Sequence, residues 1–339
     1  MAPSRVWDGA LVQEGFLMSW LITGGAGFIG SHVVKAMTDA GERVVVLDDL
    51  STGRPERLPD GVVLEVGTVL DGDTVGRVLR EHGITGIVHI AGKKQVGESV
   101  DRPLYYYREN VEGMRVLLDA AVAAGVGRFL FSSSAAVYGM PDVDLVTEKT
   151  PCVPINPYGE TKLAGEWLVG AVGARHGMAT ASLRYFNVAG AASPELGDDG
   201  VYNLVPMVFE RIEAGEAPRI FGDDYPTPDG TCVRDYIHVE DIAAAHVAAA
   251  RRLAADPEAR LVLNIGRGEG VSVAEMIGVI QDVTGRAEIG PDVSGRRPGD
   301  PARVVASADL IHQELGWAAQ RGVREMVESA WAGWRLRHP

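Results

Sequence analysis

The sequence predicts an α/β protein with a doubly wound parallel sheet, followed by a smaller mixed α/β domain. Three observations carry this prediction. Apolar runs rich in Val, Ile and Leu alternate with helical patterns from about residue 18 to residue 188. These runs are continuous rather than alternately apolar and polar, which is typical of strands buried on both faces of a parallel sheet. After about residue 190, loops rich in Gly, Pro and Asp interrupt the alternation, so a second domain is expected there.

The predicted elements follow one another in a regular order. Strands are predicted at SWLITGG, RVVVLDD, VVLEVG, GIVHIAG, RFLFSSS and ATASLRYFNVAG. Helices are predicted between them, in FIGSHVVKAMTDAG, near Asp73–His82, over about Pro103–Ala124 and in the segment that begins at Pro157. We therefore expect a first domain over residues 18–188 and a second over residues 189–339, with a segment near 234–265 that returns to the first domain.

The composition narrows the classes of function. The chain has 339 residues and a net charge of −14, so its surface repels nucleic acid and anionic membranes, and neither is an expected partner. Two cysteines, Cys152 and Cys232, argue against a disulfide scaffold and favour the reducing cytoplasm. No run of 18 apolar residues occurs, so no transmembrane helix is expected. The first 17 residues lack the features of a signal peptide, and we expect a disordered leader there, or a natural start at Met18.

A glycine-rich loop follows the first predicted strand. The stretch TGGAGFIG, from Thr23 to Gly30, spaces Gly24, Gly27 and Gly30 at intervals of three residues and opens a helix. In a strand–loop–helix unit, such glycines permit a tight turn, close approach of a pyrophosphate and close helix–sheet packing. Asp48 ends the next strand, 18 positions after Gly30, where a carboxylate accepts hydrogen bonds from the adenosine ribose and repels a 2′-phosphate. The sequence therefore predicts a Rossmann-type site for NAD rather than NADP.

A tyrosine and a lysine stand one helical turn apart in PYGETKLAGE. Tyr158 and Lys162 would share one face of a helix. A free phenol has a pKa near ~10, and two nearby cations, the Lys162 ammonium and a nicotinamide ring, would lower the pKa of Tyr158. Ser134, in FSSSAAVYG, ends a strand at the edge where open α/β sheets bind ligands. Together these residues predict a general base, a cation that activates it and a hydroxyl beside the substrate.

These motifs and several longer stretches resemble the UDP-sugar 4-epimerases of the extended short-chain dehydrogenase/reductase family. The matching stretches are TGGAGFIGSH, AGKKQVGES, ENVEG, FSSSAAVYG, PYGETK, LRYFNVAGA, FGDDYPTPDGTCVRDYIHV and RRPGD. The glycine, serine and Tyr–Lys motifs mark the superfamily, whereas AGKKQVGES and YPTPDGTCVRDYIHV are more specific to the epimerases. The resemblance implies reversible 4-epimerisation of UDP-glucose and UDP-galactose through a transient 4-keto sugar, with tightly bound NAD.

The resemblance also implies residue roles. Tyr158 is the expected acid/base, Lys162 binds the nicotinamide ribose, and Ser134 bridges the sugar 4-hydroxyl and Tyr158. The cofactor is expected to contact Gly24, Gly27, Phe28, Ile29, Gly30, Asp48, Asp49, Ala91, Gly92, Lys94, Asn110, Ser132, Tyr158, Lys162 and Tyr185. The UDP-sugar is expected to contact Ser134, Asn187, Asn203, Leu204, Phe221, Arg234, Arg297 and Asp300. No metal site is predicted. A homodimer is implied, through a four-helix bundle of the helices near 103–124 and 156–176.

Three positions leave an interpretation open. Arg234 has an alternative role as the ion-pair partner of neighbouring Asp235. Where enterobacterial relatives carry an Asp that contacts adenine, this chain has Thr68, so looser retention of NAD is expected. Where those relatives carry a bulky Tyr in the sugar pocket, this chain has Val304, so we expect some activity on UDP-N-acetylglucosamine.

Three alternative functions remain at this level. A nucleotide-sugar 4,6-dehydratase of the same fold needs an acid pair next to the hydroxyl residue, but Ser134 is followed by Ala135 and Ala136. A UDP-glucuronate 4-epimerase would need groups that receive a carboxylate at carbon 6, and the sequence does not decide this. A non-catalytic NAD-binding sensor is disfavoured because Tyr158, Lys162 and Ser134 are all retained.

Overall fold

A seven-stranded parallel sheet forms the centre of the larger domain. The structure is a computed structural model that describes residues 18–297 and 299–338, so the predicted leader at 1–17 lies outside the described residues. In chain order the strands are β1 (Ser19–Thr23), β2 (Arg43–Asp48), β3 (Val63–Val66), β4 (Gly86–His89), β5 (Arg128–Ser134), β6 (Ala179–Tyr185), β7 (Asn187–Ala189), β8 (Arg219–Phe221), β9 (Val233–His238), β10 (Arg260–Ile265), β11 (Gly270–Ser272), β12 (Asp292–Ser294) and β13 (Arg303–Val304). The large sheet has the order β10-β6-β5-β4-β1-β2-β3, with every pairing parallel, which confirms the predicted doubly wound sheet.

Helices cover both faces of this sheet. They are α1 (Phe28–Asp39), α2 (Gly72–Glu81), α3 (Val96–Asp101), α4 (Pro103–Tyr106), α5 (Gly113–Ala123), α6 (Pro157–His176), α7 (Leu204–Glu213), α8 (Val239–Ala255), α9 (Val273–Thr284), α10 (Asp309–Leu315) and α11 (Val323–Arg337). Ile22 faces a core shared with α1 and α8, and the next residue back, Leu21, faces a core shared with α2, α5 and α6. Because successive strand residues face opposite sides, both must be apolar, which explains the continuous apolar runs. The described helices include none that is long and apolar enough to cross a bilayer.

The strand order reverses beside β1, and this reversal positions the site. β1 pairs with β2 on one side and with β4 on the other, so the crossovers leave in opposite directions from the carboxyl ends of β1 and β4. A crevice opens at such a point in doubly wound sheets. Thr23 and His89 end the two strands, and their side chains are joined by a 2.7 Å hydrogen bond. The glycine-rich loop begins immediately after Thr23.

The smaller domain is built on short strands. β9 pairs with β7, β11 and β13, β8 pairs with β12, and a separate apolar core involves α7, α9 and α11. The segment near 234–265 divides between the two domains: β9 lies in the small sheet, α8 packs on α1, and β10 pairs with β6. Arg234 and Asp235 in β9 interrupt the apolar run that a central strand requires. The exact domain boundary stays a prediction.

The helix predicted over 103–124 is interrupted. A π-helical segment, Tyr107–Glu112, lies between α4 and α5. π-Helical turns insert an extra residue into a helix and are frequent at functional sites. Asn110, one of the predicted cofactor residues, lies in this segment and is buried.

Candidate active site

The glycine-rich loop has no room for side chains. Gly24 has a φ of +72°, and a Cβ there would lie 2.7 Å from the Ala91 backbone nitrogen. A Cβ on Gly30 would lie 2.0 Å from the Gly24 carbonyl oxygen, so α1 packs directly against the loop. The loop therefore presents bare backbone at the N-terminus of a 12-residue helix, where amide groups and the helix dipole attract anions.

Asp48 holds this loop as well as facing the cleft. One carboxylate oxygen accepts a 3.0 Å hydrogen bond from the Ala26 amide, and the other accepts a 2.9 Å bond from the Leu50 amide. Burial raises the pKa of Asp48, while these two amides lower it. The predicted ribose acceptor thus also fixes the turn after β1 relative to the turn after β2.

A cleft of about 590 Å³ runs from the glycine loop to the end of α6's first turn. Of the fifteen predicted cofactor residues, all except Asn110 line it: Gly24, Gly27, Phe28, Ile29, Gly30, Asp48, Asp49, Ala91, Gly92, Lys94, Ser132, Tyr158, Lys162 and Tyr185. Its size, its bare glycine backbone at one end and its acidic group beyond that backbone fit a dinucleotide. The residues present therefore suit NAD.

Asn110 supports the cleft wall from behind. Its side chain accepts from the Lys93 amide at 2.8 Å and donates to the Lys93 carbonyl and to Thr161 Oγ1, each at 3.0 Å. These bonds tie the backbone after β4 to α6. Direct contact between Asn110 and the cofactor stays a prediction.

Tyr158 and Lys162 lie on the first turns of α6. Pro157 begins the helix, and the Asn156 side chain caps it by accepting from the Gly159 amide at 2.9 Å. Lys162 is only 7% exposed, and its Nζ donates to the Ser132 carbonyl at 2.8 Å. The same Nζ lies 5.9 Å from the centre of the Tyr158 ring. The lysine is thus held between the end of β5 and the phenol.

The protein alone does not lower the tyrosine pKa as predicted. Burial raises the pKa of Tyr158, and the Ser134 hydroxyl opposes that rise. The lysine ammonium is hydrogen-bonded to the Ser132 carbonyl and is itself desolvated, which lowers the pKa of Lys162 to about 8, although Glu166 acts against this. The prediction neglected the cost of removing water from both groups. The phenol is therefore neutral in the protein by itself.

Three consecutive serines end β5, and two of them are held on opposite sides. Ser132 Oγ lies 2.8 Å from the Tyr185 hydroxyl, which lies 2.6 Å from His246 Nε2. His246 Nδ1 faces the Ile242 carbonyl at 2.9 Å and must donate to it, so Nε2 accepts from Tyr185 and Ser132 donates to Tyr185. Burial lowers the pKa of His246 to about 4, which keeps the ring neutral.

On the other side of β5, a buried ion pair holds Ser133. Its hydroxyl donates to Glu166 at 2.5 Å, and Arg184 donates two bonds to the same carboxylate, from Nε at 2.8 Å and from Nη2 at 2.6 Å. Arg184 Nη1 also donates to the Tyr138 hydroxyl at 2.8 Å. Ser134, the last residue of β5, accepts a 3.2 Å bond from the Ala136 amide, and its side chain also hydrogen-bonds Tyr158.

The predicted UDP residues form a looser group in the smaller domain. The Arg297 guanidinium lies 3.6 Å over the centre of the Phe221 ring, and Arg234 Nη2 lies 3.7 Å from an Asp300 carboxylate oxygen. Asn203 immediately precedes α7, which begins at Leu204, and Asn187 is an exposed residue of β7. Asn187 and Arg234 lie on paired strands, because β7 pairs with β9, and a single site formed by all of these residues stays a prediction.

The alternative ion pair of Arg234 with Asp235 is wrong. Asp235 accepts from three backbone amides, those of Arg267, Gly268 and Ala306. Adjacent residues of a strand point to opposite faces, so Arg234 is directed away from Asp235 and toward Asp300.

Of the two departures from the family pattern, Thr68 lies in the cleft as expected, and the place of Val304 in the sugar pocket stays a prediction. Thr68 lines the cleft after β3. Val304 is 9% exposed, pairs with Arg234 across β13 and β9, and packs in a cluster that includes Val137 and Leu163. Several cleft residues were missed by the sequence analysis, among them Lys93, Arg54, Arg57 and Asp199. Arg54 and Arg57 follow Asp48, which the sequence had already indicated as a cofactor residue. Nothing near Asp199 in the sequence indicates a role, because its partners lie more than 140 residues away.

Comparisons with known proteins agree with this geometry. Residues 20–266 match the model of the NAD dependent epimerase/dehydratase family. A UDP-glucose 4-epimerase of Azospirillum brasilense is 45% identical over 303 residues, covering 88% of this chain and 86% of that protein. The crystal structure of a UDP-glucose 4-epimerase from Stenotrophomonas maltophila, with bound NAD and formylated UDP-arabinopyranose, has a TM-score of 0.90 and 37% identity over 95% of this chain and 99% of that one. A UDP-Glc/GlcNAc 4-epimerase of Campylobacter jejuni has a TM-score of 0.83 and 34% identity over 94% and 99%.

The predicted resemblance is thereby confirmed, both in sequence and in fold. It extends over both domains, because the relatives and the solved structures are matched over most of their own length. The chain belongs to the NAD dependent epimerase/dehydratase family.

Proposed function

We propose that this protein is a UDP-glucose 4-epimerase, which interconverts UDP-glucose and UDP-galactose with retained NAD. The observation that carries the proposal is the hydrogen bond between Ser134 and Tyr158, together with the position of Tyr158 and Lys162 at the end of a dinucleotide-sized cleft. A relative that bears this name is 45% identical to the chain. A conserved redox cofactor, a hydroxyl acid/base and a separate nucleotide site together suit a reaction that oxidises and re-reduces one sugar carbon.

Each residue at the centre has a chemical task. The Tyr158 oxygen takes the proton of the sugar 4-hydroxyl and later returns it, and Ser134 hydrogen-bonds that hydroxyl and aligns it with the phenol. Lys162, fixed by the Ser132 carbonyl, binds the nicotinamide ribose and places a cation beside Tyr158. Bound NAD supplies the hydride acceptor and donor for carbon 4, together with a positive ring. The burial that raises the pKa of Tyr158 is thus offset when the site is filled.

The nucleotide end must hold UDP while the sugar ring rotates to present its other face. Arg234 and Arg297 provide guanidinium groups for the diphosphate in a protein of net charge −14. Phe221 offers a flat face for the uracil ring, and Asp300 an acceptor for ribose hydroxyls. Because the chain anchors the nucleotide in one domain and performs the chemistry in the other, the keto sugar can present either face to Tyr158.

The test is a cofactor-free assay. Purified protein is mixed with UDP-galactose, no NAD is added, and the nucleotide sugars are followed by NMR. We expect UDP-glucose to appear and reach a constant ratio with UDP-galactose. If no UDP-glucose forms, and none forms after NAD is added, the result would contradict the proposal. UDP-glucuronate, tested in parallel, separates the alternative 4-epimerase from this one.

A second substrate follows from Val304. Its side chain packs beside Val137, in the turn that follows Ser134, and it is smaller than the tyrosine of enterobacterial relatives. A structural neighbour is a UDP-Glc/GlcNAc 4-epimerase. We expect measurable activity on UDP-N-acetylglucosamine, and a Val304→Tyr variant should lose that activity more than its activity on UDP-glucose. No detectable turnover at high enzyme concentration would contradict this.

We also infer a homodimer. Large apolar side chains on α3, α4 and α6 are exposed, with Leu104 at 84%, Trp167 at 67% and Val100 at 61%. α3 and α4 both pack against α6, so these side chains lie on neighbouring helices. Exposed apolar side chains on neighbouring helices suit a two-fold four-helix bundle. Light scattering should give twice the chain mass of 36.1 kDa, and Leu104→Glu should shift it toward the monomer.

A further inference from the structure

An ion-pair cluster stands on the rim of the cofactor cleft. Asp199 lies between two arginines: Arg57 Nη2 donates to one carboxylate oxygen at 2.9 Å, and Arg54 contacts the other oxygen. All three residues line the cleft that contains the glycine loop. Arg57 is 4% exposed, so the pair is mostly withdrawn from water. None of these residues belongs to the motifs of this chain that predicted the cofactor site.

The cluster joins segments that come from different domains. Arg54 and Arg57 follow β2 and Asp48, and the Arg54 amide donates to the Ala26 carbonyl of the glycine loop at 2.9 Å. Asp199 belongs to the connection between β7 and α7, which ends at Asn203. The ion pairs therefore tie the start of the smaller domain to the loop that faces the cofactor.

A second cation fixes the same connection. Arg57 Nη2 also donates to the Gly197 carbonyl at 2.9 Å, and Arg337 of α11 donates to that carbonyl at 2.6 Å. The segment 197–199 is thus held from both domains at once. Its position beside the glycine loop is held by these ion pairs and hydrogen bonds.

We propose that Arg54, Arg57 and Asp199 form a latch that keeps the dinucleotide in its cleft. The proposal rests on the proposed function, in which a redox-neutral cycle requires NAD to remain bound. The glycine loop and Asp48 orient the cofactor, but they line one wall only. The latch covers the opposite side of the cleft, because its ion pairs hold the connection between β7 and α7 at the rim.

The energetics favour a role beyond stability. A largely buried ion pair gains little net free energy, because its desolvation offsets most of the attraction. Retention of a ligand does not require a large gain in stability. It requires that the two segments on either side of the ligand stay together while the ligand is bound. Removing the charge of Asp199 leaves Arg57 without its carboxylate partner, and the segment 197–199 then keeps only the bonds to the Gly197 carbonyl and loses both ion pairs.

The test measures release of NAD from the holoenzyme without any sugar. Protein carrying its own NAD is diluted into excess deuterated NAD, and the bound cofactor is followed by mass spectrometry over time. We expect Asp199→Asn to release NAD at least tenfold faster than the unaltered chain, and Arg54→Gln to act in the same direction. Because Arg54 is exposed, its variant reports on the latch even where Asp199→Asn lowers stability.

The control removes a partly exposed ion pair that lies away from the cleft. Asp256→Asn breaks the i,i+4 pair with Arg252 on α8 and should leave NAD release unchanged. Release from both latch variants within twofold of the unaltered chain would overturn the proposal. The readout needs no turnover of UDP-glucose, so it stands apart from the assay of the proposed function: a chain that acts on another UDP-sugar still reports on the latch.

Discussion

The catalytic end of the cleft and the nucleotide end differ in how much the protein has built in advance. Around Lys162, the polar side chains are buried and paired, and the Arg184–Glu166 pair is held by two bonds of 2.8 Å and 2.6 Å. At the nucleotide end, Arg234 and Asp300 stand 3.7 Å apart, and Arg297 rests on the ring of Phe221.

This contrast follows from what each end must do. Proton and hydride transfer need a fixed geometry, because small displacements of the reacting groups cost large factors in rate. Binding a nucleotide tolerates side chains that reorganise around the ligand. We therefore assign the buried networks behind β5 to the chemistry, and the two arginines of the smaller domain to recognition of the nucleotide. The predictions below alter one end at a time.

The largest effect is expected at Tyr158. A Tyr158→Phe variant keeps the ring and removes the hydroxyl that exchanges the proton, so turnover should fall by roughly 10²–10⁴-fold. The steady-state rate with UDP-galactose measures this. NAD should stay bound, because the variant leaves Lys162 and the glycine loop intact, and absorbance of the denatured supernatant gives the cofactor content. A turnover rate within tenfold of that of the unaltered chain would show that Tyr158 is not the acid/base.

The buried pair behind Ser133 should dominate stability at this end. Glu166→Gln leaves the Arg184 guanidinium buried without a counter-charge, which costs roughly 3–5 kcal/mol in the free energy of unfolding. Urea unfolding checks this. Replacing both residues with methionine should recover most of the loss, because no buried charge then remains. A single variant as stable as the unaltered chain would show that water reaches the pair.

Lys162 should make the cofactor-free protein less stable at neutral pH than at alkaline pH. Its pKa falls from 10.5 to about 8 on folding, a cost of roughly 3 kcal/mol that is fully present below pH 8, where the ammonium is charged in both states. Between about pH 8 and 10.5 the folded chain loses the proton while the unfolded chain keeps it, so stability rises with pH. Lys162→Met, which also loses about 1 kcal/mol from the bond to Ser132, should gain about 2 kcal/mol at pH 7. That gain should shrink above pH 8, and a gain that is constant from pH 7 to 10 would contradict the assignment.

At the nucleotide end, a substitution should weaken the affinity for UDP-galactose more than it lowers the turnover number. Arg297→Met keeps an apolar side chain over Phe221 and removes the charge, so KM for UDP-galactose should rise by roughly 10–30-fold. The turnover number at saturation should stay within about threefold, since the variant leaves the catalytic end untouched. A fall in turnover with an unchanged KM would erase the proposed division between the two ends.

Features encoded by local spacing were predictable from the sequence. The glycine loop, Asp48 and the Tyr158–Lys162 turn each lie within one strand–helix unit, and their order follows from the sheet. The pairing of Glu166 with Arg184 was not predictable, because two unremarkable charged residues meet only when α6 packs on β6. The same holds for Asp199, and for the π-helical turn at Asn110, which no propensity indicates. The burial that raises the pKa of Tyr158 in the cofactor-free protein could not be predicted from spacing.

The smallest effect is expected at Thr68, at the adenosine end of the cleft. Its hydroxyl accepts a 3.3 Å bond from the Leu70 amide, so it already holds the turn after β3. Thr68→Asp can keep that bond with one carboxylate oxygen and offer the other to the adenine amino group. One added hydrogen bond is worth about 1 kcal/mol, so NAD should leave roughly fivefold more slowly, measured by the same isotope exchange. Thr68→Asn, which offers an uncharged acceptor, should fall between the two chains. An unchanged rate of NAD release would mean that the ion pairs at the rim, and not contacts to the adenine, retain the cofactor. The adenosine end would then resemble the nucleotide end, where the site is completed only when its ligand binds.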